Sequence, residues 1–347
     1  MSLKKESSIA QAVQVLSRGD LVAFPTETVY GLGADASDEK AINKIYAAKG
    51  RPSNHPVIVH IAHPEDIRQW ARDIPDVAFV LARAFWPGPL TLILKRASSI
   101  PEAVSGGQDT IGIRCPSHPI AQALLAAFAQ ARPGLPAGIA APSANRFGRV
   151  SPSCAQHVRD EFPELVAAGM PVLEGGYSEI GIESTIIDLS RVNAGLSPAL
   201  LRPGGISAES IETVLGSRLN LADSHAPRVS GSLKAHYSPH TPMRLCPVDQ
   251  VSSVALDWLV SHSGRLAIVG CGHDLTSFED NPRVSLTRLR PDPLLYAQKL
   301  YATLRAVDAS GVSAVVWEAV PQTTHWDGVR DRLERAAAAF DSDSANW

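Results

Sequence analysis

The stretch Pro25-Thr26-Glu27-Thr28-Val29-Tyr30-Gly31-Leu32-Gly33 organises the N-terminal half of the sequence. It follows a short apolar run, residues 21–24, which has the composition of a buried strand. Three hydroxyl side chains and two glycines within nine residues predict a loop whose backbone a ligand can approach closely. We therefore expect this stretch to line a binding site.

A helix is predicted directly after this loop, because Asp38 is a good N-cap and the apolar residues 42, 45 and 46 share one helical face. It leads into Lys49-Gly50-Arg51-Pro52, where the glycine and the proline favour a fixed turn. Arginine suits bidentate contact with an oxyanion and lysine acts as a point charge, so Lys49 and Arg51 are candidate phosphate ligands. We expect removal of either side chain to lower activity but to change thermal stability little, because surface charges contribute little to folding. The alternative is an ordinary pair of exposed cations.

Further strands are predicted at residues 57–61, 90–94, 110–114, 138–141 and 186–189. The alternation of strands and helices indicates an α/β fold, in which ligands gather where strands end. Polar or basic residues stand at several such ends, although each could serve only a turn, a cap or a structural salt bridge: Arg114, Ser143, Asn145, Ser184 and Arg202. The net charge of the chain is −3, so the four bases Lys49, Arg51, Arg114 and Arg202 near predicted loops indicate a locally positive cleft.

Composition restricts the classes of protein that the chain can belong to. Its 347 residues, 45% hydrophobic and 19% charged, suffice for two globular domains. The slightly negative net charge disfavours nucleic-acid binding as the main role. The four cysteines are scattered, the histidines lack metal-site spacing, and phosphate-loop, Gly-x-Ser-x-Gly and His-Glu-x-x-His motifs are missing. Without a signal-peptide core or a membrane-length apolar run, we expect a soluble cytoplasmic protein.

The C-terminal part of the sequence divides into a linker and a small domain. Residues 216–242 lack a periodic pattern and contain prolines and glycine, which is typical of a linker. Lys234, His236 and Tyr237 within it suggest a lid that closes over the site. The alternative is that the His236 and Tyr237 rings only pack the linker against the protein. Residues 243–347 alternate strands and helices as a parallel α/β domain does. Gly270-Cys271-Gly272 is a weak match to a dinucleotide loop, and a plain strand-to-helix turn is the stronger interpretation. The predicted domains are residues 1–215, 216–242 and 243–347.

The order of seven short motifs resembles the long, two-domain form of L-threonylcarbamoyladenylate synthase, over nearly the whole chain. The motifs are Pro-Thr-Glu-Thr-Val-Tyr-Gly-Leu, Lys-Gly-Arg-Pro, Asn-His-Pro, Pro-Ser-Ala-Asn, Ser-Thr-Ile-Ile-Asp, Leu-Arg-Pro-Gly and Lys-Ala-His-Tyr-Ser-Pro. The resemblance implies a YrdC-like twisted mixed sheet with helices and an open positive cleft, followed by a Rossmann-like parallel α/β domain. Phe147 departs from the pattern, because a small polar residue is common there.

The resemblance also implies a reaction and its participants. The family makes L-threonylcarbamoyl-AMP from ATP, L-threonine and bicarbonate, with Mg²⁺ carried by the nucleotide, and releases pyrophosphate. The product serves proteins that transfer the threonylcarbamoyl group to tRNA, and weak RNA binding is compatible with this role. No metal ligands from the protein are implied.

The residue roles that the resemblance implies fall into four groups. Lys49 and Arg51 would act in catalysis. ATP contacts would come from Lys49, Arg51, Thr110, Ser143, Asn145, Ser153, Arg202 and His236. The threonine pocket would contain Thr28, His60, Arg114, Ser143 and Ser184. The lid would carry Lys234, His236 and Tyr237.

Two rival interpretations remain at this stage. A hydrogenase-maturation carbamoyltransferase also has a YrdC-like domain, but its Cys-x-x-Cys zinc motifs and acylphosphatase-like N-terminus have no counterpart here. A non-catalytic double-stranded RNA or tRNA-binding protein is favoured by the local bases and opposed by the net charge.

Overall fold

The structure of the chain, a computed structural model, describes residues 3–272 and 274–341. The chain forms two compact units. The first unit contains Met1–Phe147 and Ser151–Ser232, and the second contains Gly148–Val150 and Leu233–Trp347. The segment 216–242, predicted as a separate linker, is therefore divided between them: residues 216–232 belong to the first unit and residues 233–242 to the second.

The α-helices of the described residues are numbered in chain order. They are α1 Leu3–Ser17, α2 Glu39–Lys49, α3 Ile67–Trp70, α4 Asp76–Phe85, α5 Glu102–Ser105, α6 Pro119–Gln130, α7 Ala155–Glu161, α8 Pro163–Ala167, α9 Ala208–Leu215, α10 Val251–Ser261, α11 Pro293–Ala309 and α12 Asp327–Ala337. The strands are β1 Val22–Phe24, β2 Gly31–Asp35, β3 Ile58–His60, β4 Ala71–Arg72, β5 Leu90–Arg96, β6 Thr110–Arg114, β7 Ile139–Ala140, β8 Thr185–Asp188, β9 Ala199–Arg202, β10 Asn220–Leu221, β11 Met243–Cys246, β12 Leu266–Gly270, β13 Val284–Arg288 and β14 Ala314–Glu318.

The first unit is built on one mixed sheet. Its order within the described residues is β1-β2-β7-β3-β6-β5-β8-β9-β10, and β4 pairs with β5. The pairs β3 with β6 and β5 with β8 are parallel, whereas β6 with β5 and β8 with β9 are antiparallel. The registers bring the end of β3, the end of β6, the start of β8 and the end of β9 to the same end of the sheet.

Helix α2 has the boundaries that its sequence predicts. The Asp38 side chain accepts a hydrogen bond from the Lys40 backbone N–H, which satisfies a donor that the helix itself leaves unpaired. Gly50 ends the helix in the left-handed conformation, at φ 61°, where a residue without Cβ is favoured. Lys49 thus lies in the last turn and Arg51 just beyond it.

The opening stretch differs from its prediction. Only residues 25–30 form a loop, because Gly31 begins the buried strand β2. A Cβ atom on Gly33 would lie 2.7 Å from Ile139 Cγ2 and 2.8 Å from Phe24 Cε1. The prediction that Gly33 leaves space for a ligand is wrong, because the side chains of neighbouring strands fill that space.

The first unit continues beyond residue 215. Strand β10 adds to the sheet beside β9, and residues 228–230, here called the strap, lie against the same unit. Val229 is buried in a cluster with Ile93 and Ile186. Arg228 exchanges two hydrogen bonds with Gln108, at 2.8 and 3.0 Å.

The second unit has a parallel sheet in the order β11-β14-β12-β13 within the described residues. Hydrophobic residues of α10, β12 and β14 form one buried cluster of its core, and buried side chains of α11 and α12 add to that core. No helix among the residues described in either unit is both long and apolar enough to cross a membrane.

Candidate active site

Lys49 is enclosed rather than exposed, with only 3% of its surface accessible. Its Nζ donates hydrogen bonds to the carbonyl oxygen of Ser143, at 2.6 Å, and to that of Asn145. Burial, and then the nearby charge of Arg51, hold the pKa of Lys49 well below 10.5. The alternative of an ordinary exposed pair is therefore wrong. Burial also removes the surface-charge reasoning behind the expected small effect of these side chains on stability.

Arg51 is also buried, and it contacts the strap. Its Nη2 donates to Pro56 O at 2.8 Å and to Ser230 Oγ at 2.9 Å. The guanidinium lies over the ring of Phe147, 5.6 Å from its centroid. The aromatic residue that departs from the family pattern thus packs on one of the two predicted phosphate ligands.

Arg202 approaches the same serine from β9. Its Nη1 donates to Ser230 O at 2.8 Å, and its Nη2 donates to Ser184 O at 2.9 Å. Ser184 Oγ lies 2.8 Å from Thr91 Oγ1. Ser230 therefore joins Arg51 to Arg202, and Arg202 in turn contacts Ser184. The sequence assigned no role to Ser230, because nothing in its local pattern distinguishes it from other linker serines.

The backbone around residue 204 explains why a glycine follows Leu-Arg-Pro in the sequence. A Cβ at this position would lie 2.4 Å from Glu183 O and 2.5 Å from the backbone nitrogen of Thr185. A side chain at residue 204 would therefore displace the loop that carries Ser184.

Arg114 forms the centre of a second polar group. Its Nη1 donates to Thr28 Oγ1 at 2.8 Å, and its Nη2 forms an ion pair with Glu27 Oε1 at 2.7 Å. Burial opposes ionisation of Glu27, but the charge and hydrogen bonding of Arg114 outweigh it, so the pKa of this carboxyl is lowered. Glu27 was missed as a functional candidate; its only sequence signal was an acidic residue between two threonines in an otherwise apolar region.

His60 lies opposite Arg114 in the register of β3 and β6. Burial, and then the charge of Arg114, lower the pKa of this imidazole to about 3, so it is neutral near pH 7. Its Nδ1 is buried and has no hydrogen-bond partner among the described residues. Because buried polar atoms are nearly always paired, this nitrogen is a candidate ligand contact.

The remaining predicted site residues are distributed over both units. Thr110 lines a pocket beside Gly112 and the strap residue Val229. Ser153 Oγ lies 3.3 Å from His157 Nδ1, which places it in the first unit beside α7.

The predicted lid residues all lie in the second unit. His236 is buried there, with its backbone N–H donating to Arg335 O at 3.1 Å. Tyr237 is buried with its ring centroid 5.6 Å from that of Tyr301. Lys234 is exposed, 3.9 Å from Asp341.

The residues that the structure describes include no group of three or more His, Cys, Asp or Glu side chains that could hold a metal ion. The polar side chains around Lys49, Arg51 and Arg202 carry mainly hydroxyl, amine and guanidinium groups, which are suited to bind an anion.

Comparison with protein families gives matches across both units. A family model described as "Telomere recombination" matches residues 14–204, and one described as "Threonylcarbamoyl-AMP synthase, C-terminal domain" matches residues 206–338. The threonylcarbamoyl-AMP synthase of Pyrococcus abyssi is 36% identical over 96% of this chain and 95% of its own length. That of Bacillus subtilis is 37% identical over 96% and 93%.

Solved structures agree with these matches. The crystal structure of P. abyssi Sua5 complexed with L-threonine superposes with a TM-score of 0.82 at 34% identity, over 95% of this chain and 94% of that one. A double-substitution variant of the same protein gives 0.84 over 97% and 94%.

Fold, polar site and relatives together define an enzyme of the nucleotidyltransferase type. The chain belongs to the threonylcarbamoyl-AMP synthase family. The predicted resemblance and the predicted two-domain α/β fold are thereby confirmed. The interpretation as a non-catalytic RNA-binding protein is set aside.

Proposed function

We propose that the chain joins ATP, L-threonine and bicarbonate into L-threonylcarbamoyl-AMP and releases pyrophosphate. The observation that carries this proposal is the enclosure of Lys49, Arg51 and Arg202 among carbonyl and hydroxyl oxygens, together with a second polar group around Arg114. Buried cations hydrogen-bonded to neutral oxygens are suited to receive a polyanion. The L-threonine bound to the P. abyssi relative supports the amino-acid substrate.

The chemistry requires alignment more than a protein nucleophile. Bicarbonate supplies carbon dioxide and loses hydroxide, and the amine of threonine adds to the carbon dioxide and gives up a proton, so that a carbamate and one water form. A carbamate oxygen then attacks the α-phosphorus of ATP, and pyrophosphate leaves. Lys49 and Arg51 would stabilise charge on the phosphates as it develops, with Arg202, Ser143, Asn145 and Thr110 as further nucleotide contacts. Ser153 and His236 remain predictions of the same kind.

Arg114 is suited to hold the carboxylate of threonine. Glu27 and Thr28 restrain two arms of its guanidinium, so that the side chain is oriented before the ligand arrives. Neutral His60 and the hydroxyl of Ser184 would hydrogen-bond to the ligand's polar groups. A pocket that pairs with the threonine hydroxyl should reject 2-aminobutyrate more strongly than serine, because its own polar atoms would stay unpaired.

The strap suggests how the site is covered. Ser230 contacts both Arg51 and Arg202, the two side chains to which we assign phosphates. A bound triphosphate would compete with Ser230, so we infer that the strap shifts when ATP binds. The role of Lys234, His236 and Tyr237 as a lid remains a prediction.

Mg²⁺ bound with ATP would offset negative charge on the phosphates. We assign it no protein ligand, in keeping with the anion-binding character of the side chains around Lys49 and Arg51.

The test is formation of a labelled adenylate from radiolabelled bicarbonate, ATP and each amino acid in turn. Pyrophosphate release should depend on both L-threonine and bicarbonate. Release at the same rate without threonine would refute the proposed reaction, and equal turnover of threonine and 2-aminobutyrate would refute the hydroxyl contact.

The proposed product is a mixed anhydride, which suits a consumer that transfers its acyl group. We propose that proteins modifying tRNA use it, and that the chain acts in the cytoplasm, as its scattered free cysteines favour. Any direct RNA binding should weaken steeply with salt, whereas adenylate formation should not.

A further inference from the structure

The carboxyl ends of β12 and β14 mark the point where an open parallel sheet binds its ligands. β13 lies on one side of β12 and β14 on the other, so the chain reverses its direction of winding between β12 and β14. The turn that follows β12 is Gly270-Cys271-Gly272, the weak match to a dinucleotide loop. In nucleotide-binding sheets of this kind, the backbone N–H groups of such a turn hold phosphate.

Glu318, the last residue of β14, fills this position. Its Oε2 accepts a hydrogen bond from the Cys271 backbone N–H at 2.9 Å, and its Oε1 accepts one from the Gly272 N–H at 3.0 Å. Successive backbone N–H groups that converge on paired oxygens form an anion-binding nest. Glu318 is only 3% exposed, so the carboxylate is enclosed by the chain itself.

The Glu318 carboxylate also explains why residues 270 and 272 are glycines. A Cβ on Gly270 would lie 2.6 Å from Glu318 Oε2, and one on Gly272 would lie 3.2 Å from Oε1. Neither glycine adopts the left-handed backbone conformation, so space rather than flexibility requires them. Burial, and then the charge of Glu318, raise the pKa of the Cys271 thiol to about 12, so this group stays neutral beside the carboxylate.

We propose that the Gly270–Gly272 turn is an oxyanion site that Glu318 occupies from within the chain, in place of a phosphate or carboxylate ligand. The second unit then keeps the nest of a nucleotide-binding sheet but closes it to nucleotides. Removal of the Glu318 side chain should open the nest to a small free oxyanion.

Chemical rescue tests this proposal on the full chain. Glu318→Ala should lower the melting temperature of the second unit by about 5 °C or more, because two buried N–H groups lose their acceptor. Acetate has the atoms that the substitution removes, so it should restore part of this loss, and inorganic phosphate should do so as well. Sodium chloride at equal ionic strength should not, and wild type should respond to none of them specifically.

Glu318→Gln provides the control, because it fills the space but offers one acceptor oxygen for two donors. It should be destabilised and should gain nothing from acetate. If acetate and phosphate stabilise Glu318→Ala no better than sodium chloride does, the nest is not an oxyanion site and the proposal fails.

A second pair of variants covers the case in which Glu318→Ala does not fold. Gly270→Ala should lower the melting temperature, because its Cβ meets the carboxylate and the end of the Leu275 side chain. Glu318→Asp, shorter by one carbon, should restore part of that loss when combined with Gly270→Ala. If the double variant is no more stable than Gly270→Ala alone, Glu318 is not what requires the glycine.

Discussion

Lys49 and Arg51 lie on either side of Gly50, and the fold encloses both rather than leaving them as a solvated pair. Their environment is made by residues distant in sequence, including Ser143, Asn145 and Ser230. A buried cation held by neutral oxygens contributes to function through charge and to the fold through its hydrogen bonds.

Lys49→Ala should lower adenylate formation by about 10²-fold or more, since it removes charge stabilisation of the transition state. It should also lower the melting temperature, because two carbonyl oxygens lose a donor and the lost side chain leaves a cavity. The matched control is Lys44→Ala in the same helix, where an exposed ion pair with Asp20 should contribute little. An unchanged melting temperature with activity retained would remove Lys49 from the site.

Glu27→Gln tests the ion pair with Arg114. Breaking a buried pair by removing one partner should lower the free energy of unfolding near pH 7 by about 3–5 kcal/mol. The lowered pKa of Glu27 means that its stabilising effect is present above pH 4.5 and is lost as the pH falls through the folded-state value. Denaturant unfolding of both proteins should therefore show a difference that shrinks below pH 4.5.

Glu102→Gln is the control for that measurement, because Glu102 pairs with Arg96 but its side chain is 76% exposed. Its effect should be small at every pH. A pH-independent difference between wild type and Glu27→Gln would show that packing, rather than charge, accounts for the loss.

At the scale of elements, the strap connects the end of the first unit to its site. It has no regular secondary structure, but Val229 packs with Ile93 and Ile186 while Ser230 contacts both Arg51 and Arg202. The predicted lid residues Lys234, His236 and Tyr237 lie in the second unit, and their role stays a prediction. In the first unit, residues 228–230 contact two of the proposed phosphate ligands.

Val229→Ala should loosen the strap, because it removes two methyl groups from a buried cluster. Limited proteolysis should then cleave residues 223–232 about tenfold faster without ligands, as a lower local opening energy implies. Val214→Ala, on the partly exposed face of α9, makes the same chemical change and should leave cleavage unchanged. Equal cleavage in the two variants would mean that the strap is held by other contacts.

At the scale of the whole molecule, the boundary of the first unit is a testable property. A chain that ends at Ser232 retains the strap, and one that ends at Pro227 loses it. Burial of one valine side chain contributes about 1.5–3 kcal/mol, so the longer chain should melt about 3–12 °C higher. If the two chains have equal melting temperatures, the strap adds nothing to the stability of the first unit.

Much of the architecture was predictable from local patterns. Helix α2 follows from the Asp38 cap and the Gly50 stop, and β5 and β6 follow from apolar runs, because capping and side-chain periodicity are local properties. Strand β2 was missed because its two glycines are typical of a loop. Glycine is required at position 33 because a Cβ there would collide with Phe24 and Ile139, which come close only when the sheet forms.

Residue identity and order were enough to predict the family, the α/β class and most of the polar residues proposed for the site. Other features became visible only in the folded chain: Lys49 is buried, Glu27 restrains Arg114, Ser230 joins Arg51 to Arg202, and Glu318 fills the Gly270–Gly272 turn. These contacts join residues up to 179 positions apart, as between Arg51 and Ser230. Burial and pairing of that kind arise only when distant strands and loops are packed together, so no local pattern contains them.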